Sequence, residues 1–178
     1  MRKMGLVLLA VCTIAVPASA QMKIKGTETC PKPDTMQSVD VTDAPGHALI
    51  VQKGNCTWSA PITLAGLKAV TSVNTNSSEA MGMNITEHGY DVGTMDNGDT
   101  YTAKYSGTIL AAADGTATFH GSWVFTKGTG KLKGLKGGGT YKGSAAADGT
   151  TSANIVGTYS IVKPAMKPMA MPMTKPAS

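Results

Sequence analysis

Apolar positions recur every second residue over much of this chain. Across residues 116–126 one face carries Ala117, Phe119, Gly121, Trp123 and Phe125, and the other carries Thr116, Thr118, His120, Ser122, Val124 and Thr126. A period of two belongs to a β-strand with one face turned to a core, so Phe119, Trp123 and Phe125 are expected inside. The same alternation runs over residues 101–109, where Tyr101, Ala103, Tyr105, Gly107 and Ile109 share a face, and over residues 151–161, where Ala153, Ile155, Gly157, Tyr159 and Ile161 do. No stretch sustains the i, i+3, i+4 apolar spacing of an amphipathic helix. Residues 37–41, 48–52, 62–73 and 83–92 are further strand candidates, while the polar stretches 74–79 and 94–99 read as loops. With four strands in the C-terminal half the count is about eight.

The strands are tied by turns with a physical signature. Asp114-Gly115 and Asp148-Gly149 supply residues that accept the positive φ of tight hairpin turns. The hexapeptide at 111–116 recurs identically at 145–150. Each copy follows a Tyr-x-Gly (Tyr105 to Gly107, Tyr141 to Gly143) and precedes a Gly-x-aromatic (Gly121 to Trp123, Gly157 to Tyr159). One hairpin design is used twice. Glycines on the apolar faces imply strong bending or close backbone approach, which a small closed barrel requires and a flat sheet does not. Eight strands is the size at which a barrel interior is just filled by side chains or holds one small ligand.

The run from Phe125 through Gly128-Thr129-Gly130-Lys131-Leu132-Lys133-Gly134 to Gly137-Gly138-Gly139-Thr140-Tyr141 resembles the segment that joins two late strands in the allene oxide cyclase and dirigent barrel superfamily. With its flanking strands the resemblance covers residues 101–162. It implies an all-β fold: a small calycin-like antiparallel β-barrel of about eight strands. No catalytic residue of those families carries over, because their acidic residues lie in parts of the chain without a match here.

Both ends depart from this pattern. Residues 1–20 have the three parts of a secretory signal: the basic pair Arg2 and Lys3, an apolar run of about twelve residues, and Ala18-Ser19-Ala20 before the expected cleavage point. A single helix needs roughly twenty apolar residues to cross a bilayer, so no transmembrane segment is expected. Cleavage after Ala20 places the protein in the periplasm or outside the cell. It also removes Cys12 and leaves Cys30 and Cys56 as an even pair in an oxidising compartment, where a disulfide is expected; two free thiols or a metal site are the rival readings. After the barrel domain at 21–162, the Pro-rich segment at 163–178 reads as a disordered tail.

Loss of Arg2 and Lys3 reduces the formal charge from +5 to +3, with fourteen lysines against eleven acidic residues. Five of the lysines, Lys127, Lys131, Lys133, Lys136 and Lys142, cluster late in the chain. A nucleic-acid face would call for arginine and interleaved aromatics; the segment after the signal has no arginine, so these lysines read as a solvated surface and no nucleic-acid partner is expected.

The sequence names no reaction and no cofactor, since it has no nucleophile elbow, zinc-protease motif or phosphate loop. Its nearest approach to acid–base chemistry is Glu87, His88 and Asp91 with Tyr90 on one strand, joined by His120 on another. Alternation separates His88 and Tyr90 from Glu87 and Asp91, so only one set points inward, and a solvent-exposed strand end is the plain alternative. His47, His88 and His120 are too scattered to propose as a metal site. A binding or structural module for a small apolar ligand is the leading expectation, with Tyr105, Phe119, Trp123 and Tyr159 lining the site. A cyclase or isomerase acting inside the barrel is the alternative. A roomy lumen with Glu87 or Asp91 inside would favour the enzyme, and a lumen packed solid by the four aromatics would count against it. No oligomeric state follows from the pattern.

A third reading rests on the tail, where Met166, Met169, Met171 and Met173 place four thioethers in eight residues. Thioethers suit Cu(I), although a compositional Lys/Pro/Ala/Met tail reads as well. If the tail is a soft-metal site, the protein binds Cu(I) or Ag(I) and ignores Zn(II), and truncation after Val162 abolishes that binding with little change in thermal midpoint. Equal Cu(I) affinity with and without residues 163–178, the cysteines kept oxidised, would rule it out.

Overall fold

The computed structural model describes residues 21–162. They form ten strands: β1 (Met22–Cys30), β2 (Thr35–Asp40), β3 (His47–Ala60), β4 (Thr63–Leu64), β5 (Leu67–Met81), β6 (Asn84–Met95), β7 (Thr100–Ala111), β8 (Ala117–Gly128), β9 (Leu135–Ala145) and β10 (Thr151–Ile161). Neighbours pair antiparallel in the order β3-β1-β10-β9-β8-β7-β6-β5, and a β3–β5 pairing closes the ring. The result is an eight-stranded antiparallel barrel. β2 lies outside it as an added edge on β3, and β4 forms a two-residue hairpin with β5.

The barrel aromatics are held by a recurrent cross-strand arrangement. Tyr105 lies opposite Gly89 and Tyr101 opposite Gly93; Tyr141 lies opposite Gly121, Phe119 opposite Gly143 and Trp123 opposite Gly139; Tyr159 lies opposite Gly137. The interior of an eight-stranded barrel is only just wide enough for side chains, so a ring can turn inward where its neighbour has no Cβ. A Cβ built at Gly93 would overlap the Tyr101 ring, and one at Gly121 would meet the Tyr141 hydroxyl at 2.5 Å.

One end is packed shut. Ile24, Ile62, Leu64, Leu67, Met95, Phe125, Leu132, Leu135 and Tyr159 form a continuous buried cluster there. The glycine-rich β8–β9 connection contributes the plug: a 3-10 turn at Gly130–Leu132 leaves Leu132 fully buried, while Lys127, Lys131, Lys133 and Lys136 stay exposed. Asp99 anchors that turn by accepting from the Lys131 backbone N–H at 2.9 Å. The opposite end carries the two repeated hairpin turns. In both, an Asp carboxylate accepts the backbone N–H of the Thr two residues on, Asp114 from Thr116 at 3.0 Å and Asp148 from Thr150 at 2.8 Å. Gly115 and Gly149 take φ of 83° and 88°, as a turn with a glycine bulge requires.

The seam between β1 and β3 is the shortest in the ring. It covers only Thr27 to Thr29 with a register shift after Thr27, because the N-terminal half of β3 pairs with β2 instead. The Cys30–Cys56 disulfide joins the two strands at this point. Closing a loop of 26 residues contributes about 3.5 kcal/mol on the chain-entropy account.

Two local expectations are corrected. Residues 74–79 are not a loop but the middle of β5; Asn74, Asn76 and Ser78 share the inward parity of Ser72 and Ala80, and a strand with a polar inner face has loop-like composition. β1 escapes the apolar pattern for a related reason, since its buried positions are Ile24, Gly26 and Glu28. Residues 62–73 are likewise split by a tight turn at Ala65 and Gly66, both at positive φ.

The glycine–ring arrangement generates a stability expectation. Gly93→Ala should cost about 1–3 kcal/mol, the usual range for overpacking, because Tyr101 must move. Gly54→Ala, whose Cβ would meet nothing nearer than 3.4 Å, should stay within about 0.5 kcal/mol. Urea unfolding of the two variants checks this, and equal midpoints would count against the arrangement.

Candidate functional site

Between the sealed end and the repeated hairpins the barrel encloses a cavity of about 360 Å³. Its mouth is bordered by Pro31, Lys32 and Pro33 from the β1–β2 passage, by Met36 of β2, and by Ala145, Gly149 and Thr151. Phe119, Ile109, Trp123 and Ile155 give it apolar walls. The remaining wall is polar, and alternation on three strands explains why. On β6 the inward positions are Glu87, Gly89, Asp91 and Gly93; on β5 they are Ser72, Asn74 and Asn76; on β1 the inward position is Glu28. The two β6 glycines lie opposite Tyr105 and Tyr101, which brings phenol rings beside the acids.

Two hydrogen-bonded groups result. Glu87 accepts from the Tyr141 hydroxyl at 2.7 Å and from Asn76 Nδ2 at 2.7 Å. The Tyr105 hydroxyl donates to Asn74 Oδ1 at 2.9 Å and lies 3.2 Å from Asn76 Nδ2. In the second group Ser72 donates to Glu28, and the Tyr101 hydroxyl donates to Asp91 Oδ2 at 3.2 Å. Three buried polar atoms have no partner among the described residues: Asp91 Oδ1, Asn76 Oδ1 and Trp58 Nε1.

Burial sets the proton affinities. It pushes Glu28 up to about 8, with the negative charge of Asp91 adding to the effect, and pushes Asp91 up to about 6. Glu87 is raised as well, by desolvation, against the opposing pull of its Tyr141 and Asn76 hydrogen bonds. Tyr101, Tyr105 and Tyr141 are all raised by burial and nearby carboxylates, so they remain protonated donors. Among the described residues the ion pairs are those of His47 with Asp43 and Glu79, on the exterior. Among the described residues the lumen acids have no cationic partner.

The structure divides the residues singled out by the sequence. Glu87 and Asp91 face the lumen; His88, Tyr90 and His120 point outward, as period-two alternation demands of their neighbours, so neither histidine joins the lumen acids. Tyr105, Phe119 and Trp123 line the cavity. Tyr159 does not: it packs in the sealed end, where its hydroxyl accepts the Ala65 N–H at 2.8 Å. Glu28, Cys30 and Cys56 place candidate ligand atoms within 4.8 Å of one another, but the sulfurs are bonded to each other and offer no thiolate. Met166, Met169, Met171 and Met173 lie outside the described residues, as does the signal segment with Cys12.

Glu28, Trp58, Ser72, Asn74, Asn76, Tyr101 and Tyr141 belong to the site without having been marked by the sequence as functional. The available signal was parity: Glu28 shares a face with Ile24 and Gly26, and Tyr101 with Ala103 and Tyr105. No family model matches the chain, and no curated protein matches it.

A stability profile follows from the raised carboxylates. An unfolded Glu or Asp titrates near 4, so between that value and the folded pKa the native state holds protons that the unfolded chain releases. Stability from Glu28 and Asp91 is therefore full below about pH 4 and is lost as pH rises through about 6 and 8. The raised His47 changes stability in the same direction, so comparison with the Glu28→Gln variant separates the contribution of Glu28. The urea midpoint should fall from pH 5 to pH 8.5, and more steeply for the native protein than for Glu28→Gln. Parallel profiles would contradict the buried-acid account.

Proposed function

We propose that the barrel is a binding module that holds one small, largely apolar molecule in its lumen. The observation that carries this reading is the 360 Å³ cavity, open at the repeated-hairpin end and walled by Phe119, Trp123, Ile109 and Ile155. Ligand sites are concave, mostly apolar and supplied with a few convergent polar groups, and this lumen has that constitution. The closed eight-stranded barrel supports assigning the chain to the allene oxide cyclase and dirigent superfamily, on the resemblance of its β8–β9 segment. The paired cysteines and the signal-like residues 1–20 support action in the periplasm or outside the cell. Among the described residues no helix is long and apolar enough to cross a membrane.

The second reading is a cyclase or isomerase working in the same lumen. It is favoured by Glu28 and Asp91, carboxylates that burial pushes up to about 8 and about 6, where a group can both take and return a proton near neutral pH; Glu87, also raised by burial, lies on the same wall. The two readings part on the fate of the ligand. A binder returns its ligand unchanged from D2O, whereas proton transfer to carbon leaves deuterium on a bound molecule recovered from the host and analysed by mass spectrometry.

The chain's two tryptophans, Trp58 and Trp123, both border the cavity, so intrinsic fluorescence reports on its contents. The neutral apolar probe N-phenyl-1-naphthylamine should quench them by energy transfer and saturate at one per barrel. Ala153→Trp, which adds an indole to the lumen wall, should weaken the probe at least tenfold. No saturable quenching in the native protein would overturn the binding reading.

A further inference from the structure

The polar side of the lumen has a surplus of acceptors. Glu28, Glu87 and Asp91 are buried, with exposures of 7%, 9% and 8%. The basic side chain on the cavity lining is Lys32, at the mouth. Among the described residues Asp91 Oδ1 and Asn76 Oδ1 have no hydrogen-bond partner, and Asn76 is only 2% exposed. The Tyr101, Tyr105 and Tyr141 hydroxyls already donate within the site. What such a lumen lacks is a donor carrying positive charge. The rings of Trp58, Trp123, Tyr101 and Tyr105 border the same space, and aromatic faces attract cations at close range.

We propose that the lumen recognises an amphipathic amine, with its protonated nitrogen against Asp91, Asn76 and Glu28 and its apolar body along Phe119, Ile109 and Ile155. This rests on the binding reading above and names the chemistry of the ligand. A primary ammonium brings three N–H donors and a full charge. Those donors serve the unpartnered oxygens of Asp91 and Asn76 and leave one for a further carboxylate. A wholly apolar ligand would leave the same oxygens buried and unserved, and an anion would face three acids. The titratable groups around the ammonium are Glu28 from β1, Asp91 and Glu87 from β6, Tyr101 and Tyr105 from β7, Tyr141 from β9, and Lys32 at the mouth. Binding displaces protons held by the carboxylates, so affinity for an amine rises from pH 5 to pH 8, below the pKa of the amine.

The test titrates the purified protein with octylamine, 1-octanol and octanoate at pH 7.5, reading Trp58 and Trp123 fluorescence. Octylamine should bind at least tenfold more tightly than 1-octanol, and octanoate least. In Asp91→Asn and Glu28→Gln the octylamine affinity should fall about tenfold while 1-octanol stays within twofold, which also shows that the lumen remains folded. Calorimetry in two buffers of different ionisation enthalpy should register proton release with octylamine and none with 1-octanol. Binding of 1-octanol as tight as octylamine, or a preference for octanoate, overturns the amine assignment and leaves the binding reading standing. Silence to all three compounds overturns both.

Discussion

The fold depends on fitting aromatic rings into a tube that has little room for them. Eight antiparallel strands enclose an interior that ordinary side chains would fill. Here six rings turn inward because each faces a glycine on a neighbouring strand. The price in strand propensity is real, since glycine weakens a strand interior. It is offset by ring burial and by edge-to-face contacts such as Tyr101 with Phe125 at 5.4 Å and Tyr105 with Tyr141 at 5.8 Å. The glycines therefore decide which rings enter and where they stop.

Where the rings stop governs the chemistry. Gly89 and Gly93 alternate with Glu87 and Asp91 on the inward face of β6, so the strand that carries two acids also admits the two phenols that lie beside them. The Tyr101 hydroxyl reaches Asp91, and Tyr141, seated against Gly121, reaches Glu87. Burying carboxylates without a cation is costly, and the protein meets that cost by raising their proton affinity and surrounding them with hydroxyl and amide donors. Among the described residues Asp91 Oδ1 and Asn76 Oδ1 are left without a donor.

The same economy of contacts appears at the barrel's weakest closure. β1 pairs fully with β10 along nine residues but with β3 along only three. The disulfide lies at this seam, next in sequence to Thr29 and close to Glu28. Holding β1 against β3 also holds Glu28 toward Ser72, so the covalent link that closes the barrel helps to position an acid of the site.

Alternation in residues 101–109, 116–126 and 151–161, together with the twice-used Ala-Ala-Ala-Asp-Gly-Thr turn, was enough to specify an all-β chain with strands of known inner face, and to place Phe119, Trp123 and Phe125 inside. The separation of Glu87 and Asp91 from His88 was legible for the same reason, since facing is a local property of a strand, while the pairing of Cys30 with Cys56 was legible from the even cysteine count expected after export. Residues 74–79 and β1 were not legible, because a strand with Asn, Ser or Glu on its inner face has no apolar period. Tyr159 shared the parity of lumen residues, yet parity cannot say at what height along the barrel a ring lies, and it fell in the sealed end. The meeting of Glu28 from β1, Ser72 from β5, Asp91 from β6 and Tyr101 from β7 was decided only by closure of the sheet, which sets the stagger between strands far apart in sequence.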